Sequence, residues 1–274
     1  MRIAVLSDIH ANILAFEAVV KDLKRIPPDY IVFLGDLVVT GPRPKECFEL
    51  LKSLHPQVWL LGNTDDWLAE DSVDNTDVLP PTSHEKLLLS LADFARARLD
   101  ETDQSFLLSR PISRFLSFPA IESADTTFEN DRSALLADSG MTCCHASPGS
   151  YTQSLHPGIS ANVLHSAIRG ARGRLVVCGH THYRVCFSHN GMAVFNFGSV
   201  SMPFNSPVLY PTRADIRDGS RAIAQYGFME VGPDGLASYE SREVQFDLSE
   251  LIRDMERLDY PGLEIVLEKY VGNR

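Results

Sequence analysis

Short aliphatic runs, each followed by a polar turn, organise the first part of the chain. The run at 2–6 is almost entirely apolar, which is typical of a strand buried on both faces. Two further runs, at 30–34 and 58–61, are separated by stretches with helical spacing of apolar residues at 13–24 and 44–54. The resulting order, β-α-β-α-β, predicts parallel strands joined by right-handed crossovers.

A second set of short elements follows an irregular stretch. Hydrophobic periodicity and turn residues predict strands at 141–144 and 175–178, a helix at 162–168, hairpins at 185–196 and 222–246, and closing helices at 249–258 and 262–271. Asn12 stands where it can cap the first helix.

Residues 66–138 interrupt this pattern, and we expect a cap or insertion within one domain that covers 1–274. Within it the sequence predicts a loop at 70–77, a helix at 85–99, a short helix that begins near 102 and ends before Pro111, and a strand at 114–118, whereas 126–136 fits no pattern.

Composition and charge limit the classes of partner. The chain is 44% hydrophobic and 22% charged, as is usual for a folded globular protein. Its formal net charge of −11 argues against a dedicated nucleic-acid surface, but it leaves small phosphorylated substrates open because bound cations supply local positive charge. No apolar run suits a signal peptide or a membrane span, so we expect a cytoplasmic protein without a membrane partner. The five cysteines form no Cys-x-x-Cys pair, which favours reduced and mostly buried thiols.

Potential metal ligands follow the predicted strands at their carboxyl ends. They are Asp8 and His10 after the first strand, Asp36 after the second, Asn63 after the third, His145 after 141–144, and His180 and His182 after 175–178. Ligands of open parallel sheets bind outside the carboxyl ends of the strands, so we expect these side chains to share one edge. The two histidines at 180 and 182 are two apart, and side chains two apart in an extended chain point the same way.

Each of these residues also has a purely structural explanation. Asp8 is placed to cap a helix, Asn63 to hold a turn, and His145 to be a satisfied core histidine. These explanations do not account for the occurrence of all seven at strand ends. Seven nitrogen and oxygen ligands exceed the needs of one ion and suit two ions about 3.5–4 Å apart with a bridging carboxylate. The absence of thiolate from the set favours Mn, Fe or Zn.

The motifs that carry these residues resemble those of the calcineurin-like metallophosphoesterase superfamily. They are, in order, Asp8-Ile9-His10, Gly35-Asp36, Gly62-Asn63-Thr64-Asp65, His145-Ala146-Ser147-Pro148 and Gly179-His180-Thr181-His182. The stretch at 196–203 and the strand at 242–247 before the last helices resemble a bacterial branch of presumed phosphodiesterases within it.

The resemblance implies an α/β fold, a four-layer α-β-β-α sandwich of two mixed sheets with a small helical cap. It also implies that one ion is held by Asp8, His10 and His182, that a second is held by Asn63, His145 and His180, and that Asp36 bridges them. Manganese is the first expectation for both ions, and Fe, Zn and Ni are the alternatives.

The activity implied is hydrolysis of a small phosphoester, with a phosphodiester expected, by in-line attack of a metal-bridging hydroxide. A phosphomonoesterase or protein phosphatase of the same fold and a non-catalytic protein-binding scaffold are the alternatives. The oligomeric state stays open.

One position departs from the family pattern. Many members have a histidine after the motif asparagine, where it contacts the substrate phosphate and is assigned as proton donor, and this chain has Thr64. Threonine donates a hydrogen bond but cannot supply a proton near neutral pH, so either the leaving group is a good one or another acid or water assists. We therefore expect Asp36, Asn63 and Thr64 to be the catalytic positions, with the substrate class depending on Thr64.

Overall fold

The computed structural model describes residues 1–69, 83–118, 139–232 and 235–271. In chain order the elements are β1 (Arg2–Leu6), α1 (Ile13–Leu23), β2 (Tyr30–Phe33), α2 (Pro44–Ser53), β3 (Val58–Trp59), α3 (Ser83–Arg96), α4 (Glu101–Leu108), β4 (Ser113–Ser117), β5 (Gly140–Cys144), α5 (Ala161–Ala167), β6 (Leu175–Cys178), β7 (Arg184–His189), β8 (Met192–Phe197), β9 (Arg221–Gly232), β10 (Gly235–Asp247), α6 (Leu248–Arg257) and α7 (Leu263–Glu268). Short 3₁₀ turns lie at Asp65–Leu68 and Arg213–Asp215.

The strands form two mixed sheets of five. The first has the order β10-β9-β1-β2-β3, with β1, β2 and β3 parallel and the long hairpin β9–β10 antiparallel to them. The second has the order β4-β5-β6-β8-β7, with β5, β6 and β8 parallel and β4 and β7 antiparallel at its edges. The predicted α/β class with two mixed sheets is confirmed.

The described residues form three hydrophobic cores, which separate four layers. Alternate residues of each central strand point to opposite faces, so Ile3 and Val5 of β1 contribute to the core between the sheets, whereas Ala4 and Leu6 contribute to an outer core. That outer core contains the apolar faces of α1 and α2. On the far face of the second sheet, Val176 and Cys178 of β6 pack with residues of α5. The predicted α-β-β-α sandwich is therefore the arrangement found.

Most predicted elements are present with ends shifted by a few residues. Asn12 caps α1, because its side-chain oxygen accepts a hydrogen bond from Ala15 N at 3.1 Å. The strand predicted at 58–61 is shorter, since Leu61 N donates to Pro111 O at 3.0 Å and so leaves the ladder with β2.

Part of the predicted insertion belongs to the sheets and the core. Strand β4 pairs with β5, while Leu91, Ala95, Leu99 and Leu107 of the α3–α4 region belong to the outer core of the first sheet. The loop predicted at 70–77 and the unassigned stretch at 126–136 lie outside the described residues. The division into one domain with an insertion at 66–138 stays a prediction.

Two further expectations concern cysteines and membranes. Cys47, Cys143, Cys144 and Cys178 are buried and free, and Cys186 is free and exposed. Burial raises the pKa of the Cys143 and Cys178 thiols to about 12, which keeps both protonated and unreactive. Among the helices that the structure describes, none has the length and apolar character needed to cross a bilayer.

Candidate metal centre

The loops after five strands bring all seven predicted ligands together at one edge of the two sheets. Asp8 and His10 follow β1, Asp36 follows β2 and Asn63 follows β3, the parallel strands of the first sheet. His145, His180 and His182 follow the parallel strands β5 and β6 of the second sheet. Hydrogen bonds between these loops join the sheets, since His180 N donates to Asp8 Oδ2 at 3.1 Å and His145 Nδ1 lies 2.9 Å from Leu34 O.

Asp8, His10 and His182 form one group of potential ligands. The two Nε2 atoms of the histidines are 3.1 Å apart, and Asp8 Oδ1 is 3.4 Å from His182 Nε2. All three residues are buried, and their ligand atoms lie within 4.8 Å of one another.

Asn63, His145 and His180 form the second group. Asn63 Oδ1 lies 3.0 Å from His145 Nε2 and 2.8 Å from His180 Nδ1. His145 is fully buried, whereas Asn63 and His180 are half-buried. This side of the site therefore has access to solvent.

Asp36 lies between the two groups. Its Oδ2 atom is 3.7 Å from His10 Nε2 and 3.5 Å from His145 Nε2. Its other oxygen, Oδ1, accepts a hydrogen bond from Thr64 N at 2.9 Å, which fixes the orientation of the carboxylate. The carboxylate thus faces both groups through one oxygen atom.

The hydrogen-bonding pattern of three histidines leaves their Nε2 atoms free to bind a cation. His10, His145 and His182 each place Nδ1 2.9 Å from a backbone carbonyl, those of Val39, Leu34 and Met202. A carbonyl only accepts, so each Nδ1 carries the proton, and in a neutral ring Nε2 then presents a lone pair. The Nε2 atoms of His10 and His182 face each other, and the Nε2 atom of His145 faces Asn63 Oδ1. Acceptors that converge without a donor suit a metal ion, and a carbonyl behind each ring is the usual support for histidine ligands.

The buried charges shift the pKa values of these groups and favour a proton on His145 in competition with a cation. Burial disfavours a charged ring, but the Asp36 carboxylate outweighs it and raises the pKa of His145 to about 9. Burial likewise opposes ionisation of Asp36, yet His145 and His10 hold its pKa well below the usual range. Protons and cations therefore compete for this site, as is general for metal sites built from histidine and carboxylate.

The backbone at the site adopts unusual conformations. Asp8, His10, Asp36, His180 and His182 have φ between 49° and 67°, the left-handed region that most non-glycine residues avoid. Each such residue costs about 1–2 kcal/mol, and strain of this kind is concentrated at functional sites. Gly62 has a different role, because a Cβ atom there would overlap the Asp36 carboxylate.

Asp65 supports the site through the backbone. Its carboxylate accepts hydrogen bonds from Asp36 N at 2.9 Å, Leu37 N at 2.8 Å, Val38 N at 3.2 Å and Gly62 N at 3.2 Å. It thereby ties the loop that carries Asp36 to the loop that carries Asn63. Asp65 is not among the predicted site residues, and its place in the Gly-Asn-Thr-Asp motif is the signal that could have indicated a role.

Residues of the loop after β8 also support the site, although none of them is among the predicted ligands or catalytic positions. Ser199 Oγ donates to Asp8 O at 3.0 Å, and Met202 O accepts from His182 Nδ1. A residue of a different loop, the one after β2, also contributes, because Thr40 Oγ1 lies 2.6 Å from His10 Nδ1. Only the likeness of 196–203 to one branch of the superfamily hinted that this loop contributes.

Sequence comparison gives the family of this fold and site. The model of the calcineurin-like phosphoesterase superfamily domain matches residues 1–219. The chain therefore belongs to the calcineurin-like phosphoesterase superfamily, as its motifs predicted.

Two solved structures share this fold, and one further relative matches part of the sequence. A solved metallophosphoesterase from Sphaerobacter thermophilus is 23% identical, with a TM-score of 0.66 and 98% of each chain covered. A solved hypothetical protein from Pyrococcus horikoshii is 17% identical, with a TM-score of 0.68, and covers 100% of this chain and 99% of its own. An uncharacterised protein of Methanocaldococcus jannaschii is 42% identical over 73 residues, which are 26% of this chain and 30% of that protein.

Proposed function

We propose that this chain is a dinuclear-metal-dependent phosphoesterase that hydrolyses phosphodiester bonds in small substrates. The observation that supports it is the place of the Asp36 carboxylate between two groups of converging ligand atoms, 3.7 Å from His10 Nε2 and 3.5 Å from His145 Nε2. Asp8, His10 and His182 would hold one ion, Asn63, His145 and His180 the other, and Asp36 would bridge them. The donor set lacks thiolate, so manganese is the first candidate, followed by iron, zinc and nickel.

Two such ions, when bound, polarise a phosphoryl group and make water nucleophilic near neutral pH. The residues of the chain prepare the site for this chemistry. The carbonyls of Val39, Leu34 and Met202 fix the tautomer and the orientation of three rings. Burial of Asp8 and Asp36 excludes bulk water, which strengthens every electrostatic interaction within the site. The half-buried side at Asn63 and His180 is where a phosphoester would enter for in-line displacement.

Thr64 favours phosphodiesters over phosphomonoesters as substrates. Its Oγ1 atom is buried and has no hydrogen-bond partner among the described residues. A threonine hydroxyl can donate a hydrogen bond to a phosphate oxygen. Such a hydroxyl positions phosphate without donating a proton, so the reaction is limited to leaving groups that depart without a strong protein acid.

The test is hydrolysis of bis-p-nitrophenyl phosphate and p-nitrophenyl phosphate by chelator-treated protein with and without Mn²⁺. We expect Mn²⁺-dependent turnover that is faster for the diester. A matched pair of variants locates the activity: His182→Ala should lower turnover by roughly 100-fold or more, and His165→Ala should leave it unchanged. His165 lies on α5, which packs on the outer face of the second sheet, and its side chain contacts Asn190.

Absence of metal-dependent turnover on a panel of aryl diesters and monoesters would reject the enzyme assignment. Faster hydrolysis of the monoester would support a phosphomonoesterase instead. Equal turnover by the two histidine variants would show that the activity arises elsewhere.

A further inference from the structure

An aromatic pair, Tyr183 and Phe204, borders the metal centre on the side of His182. The ring centroids of His182 and Phe204 are 5.5 Å apart. Tyr183 stacks on Phe204, with centroids 5.1 Å apart and an angle of 23° between the ring planes. Tyr183 is 51% exposed although it directly follows a residue of the centre. The three rings form a series from the buried site to the surface.

Hydrogen bonds hold this pair in place. Phe204 N donates to His182 O at 3.1 Å. Thr181 Oγ1 accepts from Tyr183 N at 3.4 Å and from Asn196 Nδ2 at 3.1 Å. Aromatic side chains fixed before a ligand arrives lose little conformational entropy when it binds, which favours affinity.

Core packing does not explain why Tyr183 is aromatic. Neither Tyr183 nor Phe204 belongs to the three hydrophobic cores formed by the described residues. Tyr239 is a useful contrast, since it is 50% exposed but its ring contacts Phe195, a member of the core between the sheets. A single exposed apolar residue needs no explanation, but one that stacks on a ring beside a metal centre is placed to meet the substrate.

One cation near the pair suits an anionic ligand of limited size. Lys269 Nζ lies 4.8 Å from the centroid of Phe204, whereas Arg184, the residue after Tyr183, is paired with Glu243 at 2.8 Å. The whole chain carries a formal charge of −11, which disfavours long nucleic acids. A flat, electron-rich surface next to a phosphate-binding site matches a small nucleotide, whose base stacks on aromatic rings.

We infer that Tyr183 and Phe204 form a stacking platform for a nucleobase, and that the substrates of this centre are small nucleotides. The inference rests on the proposed phosphoesterase function. Stacking tolerates any base because every base has a π-face, so the platform selects nucleotides as a class without choosing among bases.

The test compares two substrates with the same leaving group. Thymidine 5′-(p-nitrophenyl phosphate) carries a base and methyl p-nitrophenyl phosphate does not, so the ratio of their kcat/KM values isolates the contribution of the nucleoside. We expect Tyr183→Ala to lower this ratio by roughly five- to hundredfold, the effect of losing one base stack. Tyr183→Phe keeps the ring and should keep the ratio.

Tyr239→Ala is the matched control and should leave both rates unchanged. It removes an equally exposed tyrosine on β10. Tyr239 pairs with Met229 of β9, and Met229 pairs with Ile3 near the start of β1, whereas Asp8 follows the other end of that strand. An equal loss on both substrates in Tyr183→Ala, or no loss on either, would overturn the platform.

A binding measurement separates failure of the platform from failure of the proposed function. If the protein hydrolyses no aryl ester, the platform is still tested by binding. Titration calorimetry of the Mn²⁺-loaded protein then compares the affinity for AMP with the affinity for ribose 5-phosphate. Binding of AMP that is roughly five- to hundredfold tighter, with the preference lost in Tyr183→Ala, supports the platform. Equal affinities, or no binding of AMP, contradict it.

Discussion

The Nε2 atoms of His10 and His182 face each other at 3.1 Å, although 172 positions separate the two residues in the chain. The other nitrogen of each ring lies 2.9 Å from a backbone carbonyl, so neither ring turns away without losing a hydrogen bond. One residue follows β1 of the first sheet and the other follows β6 of the second. The site is therefore assembled by the packing of the two sheets, and it is oriented before any ligand arrives.

Asp36→Asn should abolish activity and metal loading together. An amide is neutral and a weaker ligand, and Asp36 is the side chain that faces both groups. We expect turnover of bis-p-nitrophenyl phosphate to fall by roughly 100-fold or more, with loss of bound metal by elemental analysis. Asp29→Asn, at the opposite end of β2, is the control and should retain both. Two tightly bound ions in Asp36→Asn would contradict the bridging role.

Thr64→His should raise phosphomonoester turnover relative to diester turnover. An imidazole has an ordinary pKa near 6.5 and supplies a proton that threonine cannot, an effect typically worth about 10²-fold or more. Thr64→Val is the comparison, because it removes the hydroxyl without adding an acid, and it should not raise the ratio. An unchanged ratio in Thr64→His would mean that this position is not the donor position.

Gly62→Ala should damage the site by crowding alone. The new Cβ atom would overlap both the carboxylate and the backbone nitrogen of Asp36, and Gly62 has no left-handed φ that would add backbone strain. We expect a loss of roughly 1–3 kcal/mol in the free energy of unfolding by urea, and weaker metal binding. At Gly149 a Cβ would meet nothing within 4 Å, so Gly149→Ala should be tolerated. Equal stability of the two variants would show that Asp36 moves freely.

A hydrogen-bonded cluster away from the site gives a prediction about pH. Tyr226 Oη and Arg242 Nε both donate to Asp22 Oδ2 at 2.8 Å. Burial opposes ionisation of Asp22, but Arg242 and Tyr226 outweigh it and lower its pKa. The stability that this shift contributes is present above the unfolded pKa near 3.9 and is lost as pH falls through the folded value.

Tyr226→Phe removes one of these donors. We expect the free energy of unfolding to fall by roughly 1–3 kcal/mol near pH 6, and the difference from wild type to narrow toward about pH 3. Urea unfolding at several pH values measures it, with Tyr239→Phe as the control. A difference that stays constant over this range would show that Tyr226 does not stabilise the ionised carboxylate.

The sequence indicated the fold and the ligand positions for a simple physical reason. Buried parallel strands are short apolar runs, and Asp8, Asp36 and His145 follow such runs directly. The sheet order then brings their carboxyl ends together. Short apolar runs and a helical period of 3.6 are enough to find these elements, although their ends shift by a few residues.

The supporting contacts could not be predicted in the same way. The groups behind His10 and His182 are backbone carbonyls of Val39 and Met202, and every residue type has a carbonyl. The stack of Tyr183 on Phe204 joins two loops that follow no periodic pattern. Such contacts depend on how loops meet in space, which the spacing of residue types does not encode.

The number of metal ions required for activity tests the central proposal most directly. Metal-free protein is titrated with Mn²⁺ while bound metal and hydrolysis of bis-p-nitrophenyl phosphate are measured on the same samples. A dinuclear centre predicts two ions per chain at saturation and activity that reaches its plateau with the second equivalent. Full activity at one equivalent, or turnover that does not respond to the metal at all, would contradict it.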